Sequence, residues 1–140
     1  MRHRNTLILG VLVGGLSTWC GAELPPSAYW QMQQGASEHL DVQILSFKRA
    51  QIGGGMERLM WTAKITRVYR SKSRLKVGNK VAFSIEQNDG KKPGWVGPSL
   101  APGLSKGTKT MVFLNSTGSK SFVLAKRGRS FETMADPNVR

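Results

Sequence analysis

"RLMWTAKITRVYR", residues Arg58–Arg70, decides the fold. Leu59, Trp61, Ala63 and Ile65 fall on one side of an extended chain. Met60, Thr62, Lys64 and Thr66 fall on the other. A period of two over this length is a strand buried on one face. Continued in phase, Arg67 and Tyr69 would point inward and Val68 outward. A bulge or a strand end near Arg67 is expected to resolve that conflict.

Other strands flank this one. Upstream, "LDVQILSF" (Leu40–Phe47) alternates in part and is rich in branched residues. "QIGGG" (Gln51–Gly55) reads as a flexible turn between the two. Downstream, Ser71–Arg74 is polar, and Gly78-Asn79 is turn chemistry. Val81, Phe83 and Ile85 then alternate with Ala82, Ser84 and Glu86. "KTMVFLN" (Lys109–Asn115) is a fourth strand, and Ser116–Lys120 a polar hairpin turn. "SFVLAKRGRSFETM" (Ser121–Met134) supplies a fifth, broken at Gly128. Before them all, Ser27 is a candidate N-cap for a short helix that carries Tyr29, Trp30 and Met32 and ends near Gly35. The expected class is mostly β, a small five-stranded barrel with a short N-terminal helix. An immunoglobulin-like sandwich would need seven or more strands.

"KKPGWVGPSLAPGLSKG" (Lys91–Gly107) has three prolines and four glycines, a linker composition. Apolar strands lie on both sides of it, and neither side has enough of them to stand alone. Trp95, Val96, Leu100 and Leu104 offer apolar anchors. It is expected to be an ordered lid over one barrel end.

The start of the chain has the order of a secretory leader. Arg2, His3 and Arg4 precede the uncharged run Thr6–Leu16, and small residues end in Cys20-Gly21-Ala22. The apolar run is shorter than the roughly 20 residues of a membrane span. Cleavage after Ala22 is expected, and with it export to a periplasmic or extracellular space. An uncleaved anchor and lipidation at Cys20 are the alternatives; Trp19 departs from a lipoprotein signal. The expected organisation is 1–22 leader, 23–39 extension with the helix, 40–134 barrel and 135–140 tail. Residues 23–140 contain no cysteine, so the core alone must hold the domain. The formal charge is +13, and losing Arg2 and Arg4 brings it to +11. Such an excess favours anionic polymers and surfaces, though solubility alone also accounts for it.

Three segments resemble netrin-module-like domains. "AKITRVYRSKSRLKVGNKVAFSIEQ" (Ala63–Gln87) is similar to their middle, with a strand ending in Val-Tyr, a polar spacer, Leu-Lys-x-Gly-Asn-x-Val and a further strand. "LSKGTKTMVFLN" (Leu104–Asn115) and "VLAKRGRSFE" (Val123–Glu132) resemble the strands that follow. The resemblance covers roughly Leu40 to Glu132 and implies an OB-like barrel, the fold of the tissue inhibitors of metalloproteinases. Those inhibitors bind zinc through an N-terminal cysteine locked by disulfides. Cys20 has no partner cysteine, so that mechanism does not carry over.

Catalytic signals are sparse. His39 is the only histidine after His3, and it sits beside Glu38 and Asp41 at a helix–strand junction, where an exposed position is expected. A zinc site needs three or four ligands, and no Gly-x-Ser-x-Gly elbow is present. Glu57, Glu86, Asp89 and Glu132 lie on separate segments. No enzyme activity, metal or cofactor is expected; an enzyme of unrecognised type and an envelope structural or assembly accessory protein are the alternatives. The basic residues cluster better. Arg67, Arg70, Lys72, Arg74 and Lys76 crowd one connection, Lys91 and Lys92 open the lid, and Lys126, Arg127 and Arg129 crowd the last strand. With Tyr69 and Trp95 they form the candidate binding face of a non-catalytic, monomeric interaction module. Trp95 has the alternative role of packing the lid down. The expected partners are an anionic polysaccharide, lipid head groups or an acidic protein surface, with peripheral membrane contact included and no specific nucleic acid.

Overall fold

The computed structural model describes residues 23–91, 93, 97 and 99–139. The expected leader with Cys20, and Lys92, Trp95 and Val96 of the lid, lie outside the described residues.

The alternation in Arg58–Arg70 becomes part of β2 (Met56–Ser71), which pairs antiparallel with β1 (Glu38–Gly53) along its whole length. β3 (Lys80–Asn88) adds to the other edge of β2, and β4 (Lys109–Ser116) to the first six residues of β1. β5 (Phe122–Leu124) pairs with β4 and, in parallel, with β3. The order β1-β2-β3-β5-β4 closes on itself, giving a five-stranded OB-like barrel. "QIGGG" is narrower as a turn than its composition implies. β1 runs through Gly53, and Gly53, Gly54 and Gly55 all take positive φ before β2 begins.

The phase conflict on β2 is resolved by two bulges. Val42 faces Ile65 while Asp41 faces Arg67, so Thr66 is extra. Leu40 faces Val68 while His39 faces Arg70, so Tyr69 is extra. Each extra residue shifts the pleat by one position. Val68 therefore packs on the core, while Arg67 and Tyr69 turn to solvent. A third bulge lies on β1 at Leu45.

Inside the barrel, Trp61 is 1% exposed and stacks on Phe83 at 5.4 Å, with Phe47 at 5.5 Å and the edge of Phe131 at 5.7 Å. Leu40, Ile44, Leu59, Ile65, Val112 and Leu114 surround this aromatic centre.

Three local expectations are corrected. The helix α1 (Pro26–Gly35) starts one residue before Ser27, because Pro26 takes the first helical position, where a missing N–H costs nothing; no side chain caps it. The last strand ends at Leu124, and Lys126–Arg129 is not strand. Arg127 takes φ 50, and Arg127–Arg129 forms one 3-10 turn. Gly128 is pressed against the backbone of Ser99, where an added Cβ would lie 1.9 Å from the carbonyl oxygen. Leu100 is exposed at 37% and does not anchor the lid.

The lid reading holds for residues 99–108. Ala101 is buried, its N–H donates to Gln87 Oε1 at 2.8 Å, and Leu104 packs on the core. Gly107 N donates to the Ile44 carbonyl at 2.7 Å, and Ile44 N to the Thr108 carbonyl at 2.8 Å. This strap carries on the pairing of β1 where β4 stops.

Trp61→Ala removes the central ring of the core. The expected loss is about 3–5 kcal/mol, a large part of a small domain's stability. Urea unfolding followed by circular dichroism checks it. A variant with wild-type stability would place Trp61 outside the core.

Candidate functional site

The outward residues of β1, β2 and β3 line up in rungs across the three strands. Gln43, Lys64 and Lys80 form one rung, with Lys109 opposite Gln43 on β4. Ser46, Thr62 and Ala82 form the next, and Lys48, Met60 and Ser84 the third. The small middle rung leaves a depression of about 370 Å³ that Ser121 and Phe122 close at one end. Beyond the third rung, Arg58 pairs with Glu86 across the strands and cancels its own charge.

Lys48, Lys64 and Lys80 are exposed, and among the described residues none of them is in an ion pair. Lys64 and Lys80 stand directly opposite each other. Like charges at opposed positions destabilise a sheet by a fraction of a kcal/mol, so folding alone does not favour this pair. Phe122 also borders a second depression, of about 430 Å³, with Arg74, Lys80 and Lys120 on its walls. The basic connection after β2 thus lines a depression beside the groove, with Phe122 between the two. That connection is pinned from below: the Ser73 N–H donates to the buried carboxylate of Glu38 at 3.1 Å.

The basic residues singled out in the sequence divide into different roles. Lys72, Arg74 and Lys76 are exposed on the connection, and Lys91 at the opening of the lid. Arg70 turns back onto α1 and donates to the carbonyls of Ala36, at 3.0 Å, and Gln33. It supplies the positive charge that the C-terminal end of a helix favours, and that α1 does not carry itself. Arg129 is paired with Glu23 at 2.9 Å and Glu132 at 3.6 Å, beside the ring of Tyr29. Arg127 is half-buried, beside a cavity of about 520 Å³ whose other walls include Met56, Ile85 and Leu124.

Lys126 is corrected outright. It is buried, with Nζ 4.1 Å from the ring centre of Phe113 and donating to Gln33 Oε1 at 3.3 Å and to the Glu132 carbonyl. Burial pushes its pKa down to about 8. It belongs to the interior and leaves the exposed set.

His39 is also placed differently from the expected exposed junction. It is half-buried and stacked between Tyr69, at 4.4 Å, and Phe113, at 4.1 Å. Arg67 lies 4.9 Å from the outer face of Tyr69, and Lys126 covers Phe113. The result is a column, cation–Tyr–His–Phe–cation. It is tied to β1 by the Tyr69 hydroxyl, which donates to Asp41 Oδ2 at 2.9 Å. Arg67 and Tyr69 are thus already engaged with neighbours in the chain. No group of three or more His, Cys, Asp or Glu gathers as a metal site among the described residues. Nor is any described helix long and apolar enough to cross a membrane.

The fold and this surface define a small closed barrel with a basic groove across three strands. Comparison with family models, with curated proteins and with solved structures finds no match to the chain.

The aromatic column has a pH signature. Burial first, and after it the Arg70 charge, hold the His39 imidazole below its ordinary pKa of 6.5, against a smaller upward pull from Asp41; Lys126 adds the least. The unfolded chain therefore takes up a proton before the folded one. The stability contributed by neutral His39 is whole above pH 6.5 and is lost as pH falls through the lowered folded value. The melting temperature should fall from pH 7 toward pH 5, and His39→Gln should flatten that part of the curve. An unchanged slope in the variant would contradict the column's role.

Proposed function

We propose that this chain is an exported, non-catalytic binding module. Its groove on β1–β3, flanked by the connection after β2, holds an anionic polymer by charge. The observation that carries the reading is the Lys64–Lys80 pair. Two exposed ammonium groups face each other across a strand pair with no acidic partner among the described residues. Between that rung and Lys48 lies a trough of small side chains. An anion lying in the trough relieves the repulsion. OB-like barrels bind extended chains on this strand face, which also supports the placement. Export rests on the order of the first 22 residues, and a netrin-module-like origin on the motifs from Ala63 to Glu132; the barrel is compatible with that origin.

Stability and binding should respond in opposite directions. Lys64→Glu gives Lys80 an opposed carboxylate, so the melting temperature should hold or rise slightly. Retention on an immobilised polyanion such as heparin should fall. The slope of log affinity against log salt should shrink by about one to two, because fewer counterions are released. The same reversal at Lys72, on the connection, should have a smaller effect. Retention unchanged in Lys64→Glu would remove the groove as the binding surface.

A further inference from the structure

Which polyanion suits the groove is decided by its floor. Single-stranded nucleic acid is held on barrels of this kind by bases stacked on exposed aromatic rings, with charge added along the backbone. Among the described residues the floor has no such platform. The aromatic residues of β2 and β3 that touch the trough, Trp61 and Phe83, are 1% and 2% exposed and project into the barrel. Tyr69, the one exposed aromatic ring among the described residues, is stacked on His39 and bound to Asp41.

What the floor does carry is hydroxyl groups. Ser46, Thr62 and Ser84 lie in and beside the middle rung, and among the described residues none of their hydroxyls has a hydrogen-bond partner in the protein. Each can both donate and accept. Lys48 stands at one margin, and Lys64 and Lys80 at the other. A row of free hydroxyls between ammonium groups complements a chain whose every unit bears hydroxyls and a carboxylate. Such hydroxyls also donate to phosphate oxygens, so it is the lack of a stacking ring among the described residues that disfavours a chain recognised by its flat bases.

We infer that the groove takes an acidic polysaccharide, with ring hydroxyls against Ser46, Thr62 and Ser84 and carboxylates against Lys48, Lys64 and Lys80. This rests on the proposal that the groove binds a polyanion, and deepens it by naming the polymer.

The test measures binding of the whole protein to polygalacturonate and to poly(dT), at equal charge concentration, in salt raised from about 50 to about 200 mM, a range over which purely electrostatic binding weakens steeply. Polygalacturonate should keep binding at the upper salt, and poly(dT) should be lost. Ser46→Ala, Thr62→Val and Ser84→Ala combined should weaken polygalacturonate about tenfold at the upper salt, as expected when a few hydrogen bonds between neutral hydroxyl groups are removed. The same variant should leave the low-salt binding of poly(dT) and the melting temperature unchanged. Equal or tighter binding of poly(dT), or polygalacturonate binding indifferent to the hydroxyl variant, overturns the inference and leaves a groove that reads charge alone. Polygalacturonate and poly(dT) binding both indifferent to Lys64→Glu overturns the underlying reading as well.

Discussion

β1 is shared between two partners, and that constraint shapes the molecule. It pairs with β2 along its full length and with β4 through Glu38–Gln43. A flat ribbon cannot meet both neighbours and let β3 and β5 close the far side. The bulges at Leu45, Thr66 and Tyr69 bend and twist the β1–β2 ribbon enough to close it. Their effect on side chains is equally direct. From Ser46 to Gln51 on β1 and from Glu57 to Ile65 on β2 the pleat is unbroken, so Trp61 and its neighbours point into the barrel and Ser46, Lys48, Met60, Thr62 and Lys64 point out; a fourth shift, at Ile52, lies beside the hairpin turn. Beyond Thr66 the phase changes, which turns Arg67 and Tyr69 outward and stacks Tyr69 on His39. The core, the groove and the aromatic column all follow from where three extra residues fall.

The charge excess does not act as one uniform field. Some cations are scaffold: Arg70 closes the end of α1, Lys126 is buried on Phe113, Arg129 ties Glu23 to the 3-10 turn, and Arg49 reaches the buried carboxylate of Glu57 at 3.3 Å. Removing such a residue changes stability before it changes any binding. The lysines of the groove have no such task among the described residues. This division separates scaffold cations from unpaired surface cations, and it depends on partners that composition does not reveal.

Much of the fold was legible because alternation in Arg58–Ile65 and in Val81–Ile85 is strong and the turns between strands are rich in Gly, Asn and Ser. The bulge near Arg67 was legible as a conflict between phase and polarity. The short fifth strand was not: nothing in Phe122–Ala125 marks Leu124 as the end of pairing, yet the left-handed φ of Arg127 and the close approach of Gly128 to Ser99 turn the chain away. The site was only half legible. Lys64, Thr62 and Met60 read as the outer face of a strand, but their meeting with Lys80, Ala82 and Ser84 depends on register, which residue spacing within one strand does not specify. The crowded run from Arg67 to Lys76 drew attention through proximity in sequence. Lys48, Lys64 and Lys80 are dispersed along the chain and converge only through pairing. His39 looked exposed because its flanking residues are acidic; the rings that enclose it come from β2 and β4.

The central claim is that a polyanion lies across the rungs of β1–β3. Backbone amide chemical shifts, followed by nuclear magnetic resonance while the isotope-labelled protein is titrated with an acidic oligosaccharide, test it residue by residue. The largest changes should fall on Ser46, Lys48, Thr62, Lys64, Lys80, Ala82 and Ser84, with smaller ones at Arg74 and Lys120, and the amides around Arg129 and α1 should stay still. Changes centred on Arg127 and Arg129, or spread evenly over every exposed lysine, would contradict it.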